Sequence, residues 1–274
     1  MISVSTILAC IITLFVSLVL PVVILIVFAA KNRKQGIVSA WLLGAAGFFV
    51  TQILIRLPIL TALSGQSWFL SFSQNHLFAY AFTLAFTAGL FELAGRFGVA
   101  KLLQKNLNFR RSLAAGMGHG GIEAMLIVGI AYINNLAYIA MINSGSFDSI
   151  LAQTAAMGVD VAQLEMIRDQ LLTASPALFL LAGFERILTM IAHIAMSMLV
   201  CYGVAHKKSL PCILVCLGIH TFIDLSAGIS LVLPQTAAYL VIYSILIVVA
   251  VFSLFVIREL HRRWQKGANH DSQE

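Results

Sequence analysis

Residues 4–30 read VSTILACIITLFVSLVLPVVILIVFAA, a stretch without a single charged side chain. A helix needs about 20 consecutive apolar residues to cross the hydrocarbon core of a bilayer, so this stretch is long enough to cross once. No basic residues precede it, and it is longer than the apolar region of a cleavable signal peptide. We therefore expect it to be a retained first membrane span.

The composition of the whole chain is that of a membrane protein. Of its 274 residues, 60% are hydrophobic and only 10% are charged, whereas soluble domains carry roughly 25% charged residues. A soluble core could not bury so much apolar surface. The net charge of +6 does not indicate a nucleic-acid partner, because the positive residues form short clusters between apolar runs. The expected surroundings are the lipid bilayer of a cell membrane.

Seven apolar segments predict an all-α, polytopic bundle of about seven transmembrane helices. The segments cover residues 4–30, 37–62, 74–95, 112–141, 176–204, 210–233 and 236–257. We interpret residues 1–274 as one integral membrane domain, with its core spans at 74–233.

The connections between these segments alternate in charge, which predicts their orientation. Lysines and arginines concentrate in residues 31–34, 96–111, 207–208 and 258–266, whereas 63–73 and 234–235 carry no charge and 143–175 are mainly acidic. Cytoplasmic connections are enriched in Lys and Arg. The N-terminus is therefore predicted outside, with residues 258–274 as a cytoplasmic tail.

The long connection 143–175 is predicted to be amphipathic and to lie on the outer membrane surface. Asp160 followed by Gln163 resembles a capping box, and the stretch VAQLEMIRDQLL (161–172) has helical periodicity. The alternative is a spacer without a role of its own.

Five ionisable residues fall within the predicted spans at similar depth. A charge at the centre of a membrane helix costs about 2.5–3.5 kcal/mol on insertion scales, so such residues usually face a partner or a water-filled cavity. At about 1.5 Å per residue, three successive spans place them in one slab of the cytoplasmic half. They are His119, Glu123, His193, His220 and Asp224. We predict that they form a polar functional centre.

Two further pairs are given supporting, structural roles. Glu92 and Arg96 are four residues apart in FELAGRF, and we expect them at the cytoplasmic rim of the third span as an ion pair. Glu185 and Arg186 lie further toward the outer side, where they are expected to form a separate ion pair.

A glycine-rich stretch surrounds His119. It contains Gly116, Gly118, Gly120 and Gly121, and glycines in membrane helices permit close approach of another backbone or of a ligand. They could therefore let a substrate or water come near His119. For any single glycine, tight helix packing is the better expectation.

Glutamate combined with several histidines suits two mechanisms of amide hydrolysis. In one, Glu123 is a general base that activates water, and the histidines stabilise the oxyanion. In the other, histidines and an acidic residue bind a divalent metal ion, with zinc favoured. The zincin motif HExxH and the serine-hydrolase motif GxSxG are both absent from the sequence.

The ordered motifs resemble a known family. GHGGIEAM, then FER with His193 on the same span, then His220–x–x–x–Asp224 are similar to the YhfC family of intramembrane metalloproteases. That family resembles the wider CAAX-type protease superfamily, which includes the PrsW-like proteins and the scaffold subunit of γ-secretase. The resemblance covers spans three to six. It implies an intramembrane endopeptidase that acts on a membrane-associated peptide or protein substrate.

By this resemblance, Glu123 activates water, and His193, His220 and Asp224 bind a metal ion, Zn2+, or stabilise the oxyanion, while His119 assists. The CAAX enzymes carry a double glutamate in the motif EExxxR, whereas FELAGR has a single Glu at that spacing. Either Glu92 or Glu123 could therefore be the equivalent acid, and the expected depth favours Glu123.

Two functions of other classes remain open at this point. One is a non-catalytic membrane scaffold, in which the inward polar residues only hold helices together. The other is a transporter of protons or metal ions that uses the same residues as a relay.

Overall fold

The computed structural model describes residues 1–158, 160–231 and 233–270, and within these ranges the regular structure is helical throughout, with no β-strand. The helices are α1 (Val4–Lys31), α2 (Ile37–Ser64), α3 (Ser67–Asn75), α4 (Leu77–Asn106), α5 (Phe109–Ser144), α6 (Phe147–Ala156), α7 (Ala162–Thr173), α8 (Pro176–Ala205), α9 (Ser209–Ser230) and α10 (Gln235–His270). Seven helices in these ranges are long and apolar enough to cross a membrane. The predicted all-α class and number of spans are confirmed.

Two of the helices extend well beyond their predicted apolar segments. The helix α4 continues to Asn106 although its apolar segment ends at residue 95, and α10 continues to His270 although its segment ends at 257. Charged residues end a hydropathy segment, but they do not end a helix. Residues 271–274 of the predicted tail, together with residues 159 and 232, lie outside the described residues.

The chain forms two compact units. The first comprises Met1–Val23 and Ala124–Ile187, and the second comprises Ile24–Glu123 and Leu188–Glu274. The division falls within α1, α5 and α8, so each of these helices contributes a segment to both units. All five residues of the predicted slab belong to the second unit.

In the first unit, hydrogen bonds to one carbonyl join three helices. Thr13 Oγ1 donates to the backbone oxygen of Phe179 at 2.7 Å, and the Tyr132 hydroxyl donates to the same oxygen at 3.0 Å. A Cβ atom added to Gly183 would lie 2.9 Å from Thr13 Oγ1. The absence of a side chain at Gly183 therefore allows α1 and α8 to come close enough for the first bond.

The connection 143–175 of the first unit contains the two short helices α6 and α7. Asp160 Oδ1 accepts a hydrogen bond from the Ala162 backbone N–H at 3.0 Å, at the start of α7. Asp148 Oδ1 accepts from Arg168 Nη1 at 2.9 Å and raises the pKa of that guanidinium. The contact between Asp148 and Arg168 joins the two helices. The location of the connection on the outer membrane surface stays a prediction.

In the second unit, the glycine-rich part of α5 packs closely against two helices. A Cβ atom on Gly118 would lie 1.9 Å from the backbone oxygen of Trp41 in α2, and one on Gly116 would lie 2.7 Å from Ile194 Cα in α8. On Gly120, it would lie 3.0 Å from His193 Cβ. The glycines therefore allow tight helix packing on two faces of α5, as expected for any single glycine.

Candidate functional site

Three histidines surround one carboxylate oxygen, Oε2 of Glu92. His119 Nε2 lies 3.0 Å from this oxygen, His193 Nδ1 lies 3.5 Å from it, and His220 Nδ1 lies 3.6 Å from it. The glutamate is on α4 and the histidines are on α5, α8 and α9. All four residues are buried. Four helices of the second unit thus bring three ring nitrogens toward one oxygen.

Two of these histidines contact a second carboxylate through their other ring nitrogen. His193 Nε2 lies 2.8 Å from Glu123 Oε2, and His220 Nε2 lies 3.2 Å from Asp224 Oδ2. A carboxylate only accepts, so each contact places a ring proton on Nε2, while Nδ1 of the same ring faces Glu92. Histidines that bind metal ions are commonly oriented in this way by a carboxylate.

Aromatic packing fixes the planes of the three rings. His119 and His193 stack at 25° with centroids 5.6 Å apart, and His193 and His220 meet edge to face at 83° and 5.6 Å. Phe48 of α2, which is buried, contacts the His119 ring edge to face at 5.4 Å. Locked ring planes keep the nitrogens directed at the same oxygen.

The guanidinium of Arg96 provides a positive charge inside this cluster. Its Nη2 atom lies 2.9 Å from Glu92 Oε2 and 2.6 Å from His193 Nδ1. A guanidinium only donates, so His193 Nδ1 accepts, in agreement with the proton on Nε2. Arg96 Nε and Nη1 are buried and have no hydrogen-bond partner among the described residues. The cluster thus holds a cation between two of its donors.

The structure brings together the five residues that the sequence pattern predicts as a centre, but it changes the place of Glu92. Glu92 was expected at the cytoplasmic rim as part of an ion pair; in the structure α4 continues to Asn106, and the Glu92 carboxylate contacts all three histidines. Glu185 and Arg186 belong to the first unit, where the Arg186 guanidinium pairs with the Glu185 carboxylate. That pair agrees with the expected separate ion pair.

One buried polar residue was not predicted from the sequence. Gln52 of α2 donates through Nε2 to Glu92 Oε1 at 2.8 Å. Its only sequence signal is an amide within the apolar stretch FFVTQILIR (48–56). An isolated amide of this kind does not reveal which helix it contacts.

Comparison with known proteins identifies the family of the chain. The family model described as YhfC intramembrane metalloprotease matches residues 16–252 of the chain. The protein belongs to the YhfC family. It is 30% identical over 197 residues to the uncharacterized membrane protein YhfC of Bacillus subtilis (strain 168), a match that covers 71% of this chain and 74% of that protein. No solved structure matches the chain. This YhfC-family chain is a multi-pass membrane protein, and its whole histidine cluster lies within the matched residues.

Three donors of this YhfC-family site are of the kinds that a divalent metal ion accepts, although Arg96 Nη2 donates to one of them, His193 Nδ1, in this structure. Glu92, His119 and His193 each offer one ligand atom, and these atoms lie within 4.8 Å of one another. Oxygen and imidazole nitrogen are donors that zinc accepts in tetrahedral sites, with bonds of about 2.0–2.2 Å that separate the donors by roughly 3.3–3.6 Å. The three nitrogens lie 3.0, 3.5 and 3.6 Å from Glu92 Oε2. His220 Nδ1 is buried and has no hydrogen-bond partner in the described part of the chain.

Proposed function

We propose that this YhfC-family protein is an intramembrane endopeptidase that hydrolyses a peptide bond of a membrane-associated substrate with the help of a bound zinc ion. The observation that carries the proposal is the convergence of three imidazole nitrogens on one oxygen of Glu92. The family description supports the same reaction class. The distances between the donor atoms support a bound metal ion. The carboxylates of Glu123 and Asp224, which contact the outer ring nitrogens of two histidines, support it as well.

In this proposal, Glu92, His119, His193 and His220 hold the ion. When bound, such an ion supplies a nucleophilic water and polarises the carbonyl of the scissile bond. Asp224 is proposed to orient His220, since its carboxylate contacts the ring nitrogen that faces away from Glu92. It therefore acts through the histidine and not as a ligand, which refines the role implied by the family resemblance.

Glu123 is proposed as the general base and acid. Its side chain is 12% exposed, twice the 6% of Glu92, and one of its oxygens contacts His193 Nε2 at 2.8 Å. Glu123 would accept a proton from water as the water attacks the carbonyl, and then donate it to the departing amine nitrogen. Positioned acid–base residues contribute about 10²–10⁴-fold to a rate.

The burial of the cluster explains why the substrate should be membrane-associated. Glu92 and the three histidines lie within helices that can cross a bilayer, so a peptide bond must come among these helices to reach them. Inside such a site, fixed dipoles and charges act more strongly than in water because the local dielectric constant is low.

The proposal is tested by hydrolysis in heavy-oxygen water. Purified protein is reconstituted into liposomes with extracted membrane proteins of the expression host, and new C-termini that contain heavy oxygen are identified by mass spectrometry. Wild-type protein should generate labelled termini, and EDTA should stop the reaction until zinc is restored. The variants Glu92→Gln and Glu123→Gln should lower labelling about 100-fold or more.

The matched control for this experiment is Glu259→Gln. Glu259 is a carboxylate of α10 that pairs with Arg262 and Arg263 on the surface, so its variant should label as wild type does. The proposed function is refuted if wild-type protein yields no labelled termini, or if all variants label equally.

A further inference from the structure

The position of the Glu92 carboxylate depends on a residue of α2 that lies outside the histidine cluster. Gln52 is 5% exposed and belongs to a π-helical segment of α2, Phe49–Arg56. Its Nε2 donates to Glu92 Oε1 at 2.8 Å and lies 3.3 Å from the backbone oxygen of Ala88. A buried amide in an apolar helix must find such partners, and here the shorter contact is to the central glutamate.

Arg56 determines which way the amide of Gln52 points. Arg56 Nη1 lies 3.3 Å from Gln52 Oε1, and Nη2 donates to the backbone oxygen of Leu84 at 2.7 Å. A guanidinium has no acceptor, so the oxygen of the amide must face it. The NH2 group of Gln52 then faces Glu92, and the reversed amide is excluded.

The crossing of α2 and α4 brings this amide within reach of Glu92. A Cβ atom on Gly95 would lie 2.6 Å from the backbone oxygen of Gly47, and one on Gly47 would lie 2.8 Å from Val99 Cγ2. The two backbones therefore approach more closely than residues with side chains would allow. π-helical turns often occur at functional sites, and this one carries both Gln52 and Arg56.

We propose that Gln52, oriented by Arg56, is a positioning residue that holds Oε1 of Glu92 and thereby directs Oε2 toward the three histidines. This inference rests on the proposed function, because it assigns Gln52 a role in metal binding at the same site. Without the hydrogen bond from Gln52, Oε1 of Glu92 loses a donor, and the carboxylate is held only through the contacts of Oε2 with Arg96 and the histidines. Residues that orient metal ligands typically change metal affinity by 10–100-fold when they are mutated.

The test is zinc titration calorimetry on the purified full-length protein in detergent. Gln52→Met keeps the length of the side chain but removes its hydrogen bonds, and it should bind zinc about 10–100-fold more weakly than wild type. Arg56→Met leaves the amide in place but allows it to turn, so it should weaken zinc binding in the same direction and to a smaller extent. It also serves as the second variant if Gln52→Met does not fold.

Thr51→Val is the matched control on the same segment. Thr51 Oγ1 donates to the backbone oxygen of Gly47 at 2.8 Å within its own helix, so the variant removes a hydrogen bond without touching Glu92. Thermal unfolding of each variant is measured in EDTA. Thr51→Val should leave zinc affinity unchanged whatever it does to the unfolding temperature, which separates positioning from general destabilisation.

Three outcomes decide the inference. Weaker zinc binding by Gln52→Met, with unchanged binding by Thr51→Val, supports it. Wild-type zinc affinity in a folded Gln52→Met protein overturns the inference. If Glu92→Gln then still loses zinc, the proposed metal site is retained although the role of Gln52 is not. Failure of the wild-type protein to bind zinc overturns the proposed metal site, and the inference falls with it.

Discussion

Replacement of Gly118 by alanine should damage both the fold and the site. A Cβ atom at this position would lie 1.9 Å from the backbone oxygen of Trp41, 2.7 Å from its carbonyl carbon and 3.0 Å from its Cα atom. An ordinary contact begins at 3.4 Å, so α5 and α2 must separate by about 1.5 Å (3.4 minus 1.9) to admit the methyl group. All three obstructing atoms are backbone atoms, so no side-chain rotation can relieve the overlap.

The expected magnitude follows from this geometry. Overpacking that side chains can absorb costs about 1–3 kcal/mol, and here a helix backbone must move, so we expect about 3 kcal/mol or more. His119 is the next residue, and its Nε2 lies 3.0 Å from Glu92 Oε2. If His119 moves by the same distance of about 1.5 Å, its contact with Glu92 exceeds hydrogen-bonding distance. Zinc affinity should therefore fall together with stability.

The assay is thermal unfolding of the purified protein in detergent, followed by circular dichroism, with zinc titration on the same samples. Gly98→Ala on α4 is the matched control, because the described structure has no atom within 4 Å of its added Cβ. That control should be neutral or stabilised by up to about 1 kcal/mol, the difference in helix propensity between alanine and glycine. Equal unfolding temperatures and zinc affinities for the two variants would refute the reasoning.

Two further predictions concern the charged groups of the site. Asp224→Ala should lower zinc affinity about 10–100-fold, because its carboxylate holds the outer nitrogen of a proposed zinc-binding histidine; competition with a chromogenic chelator measures this, and unchanged affinity would contradict it. Glu92→Gln should lower the free energy of unfolding in EDTA by about 3–5 kcal/mol, since it leaves the buried Arg96 without its counter-ion. The double variant with Arg96→Met should recover most of that loss in denaturant titrations, and an additive loss would argue against a buried ion pair.

Contacts within one helix were accessible from the sequence. Glu92 and Arg96 pair at 2.9 Å, and His220 and Asp224 contact each other at 3.2 Å, in both cases at the predicted spacing of four residues. Helical geometry alone places such residues side by side. Depth counting also predicted that the histidines of three spans would lie at one level, and in the structure all three approach Glu92 Oε2.

Contacts between helices were not accessible in the same way. Hydropathy ends the third apolar segment just before Arg96, because an arginine scores as a residue that faces water. In the structure, Arg96 is buried, and its charge is balanced by Glu92 within the bundle. The predicted rim position of Glu92 followed from hydropathy alone, which takes no account of ion pairs between buried residues.

The contact of Gln52 with Glu92 is a second contact between helices that the sequence does not reveal. Its amide matters because the glycines Gly47 and Gly95 let two helices cross closely, and this crossing is not encoded in the local spacing of either segment. A single sequence contains the glycines and the glutamine, but it does not show which helices meet.

The alternative of a non-catalytic scaffold would use many of the same contacts, so the contacts by themselves do not decide between the two functions. Lipid provides no hydrophobic drive for helix association, and polar groups buried between membrane helices can hold them together. A cluster that served only this purpose should pair its donors and acceptors, because each unsatisfied buried polar group costs about 1–3 kcal/mol. His220 Nδ1 and two nitrogens of Arg96 have no hydrogen-bond partner among the described residues, although all are buried. The unsatisfied atoms at the centre of the cluster, together with outer histidine nitrogens that contact carboxylates, therefore favour the proposed metal site over the scaffold.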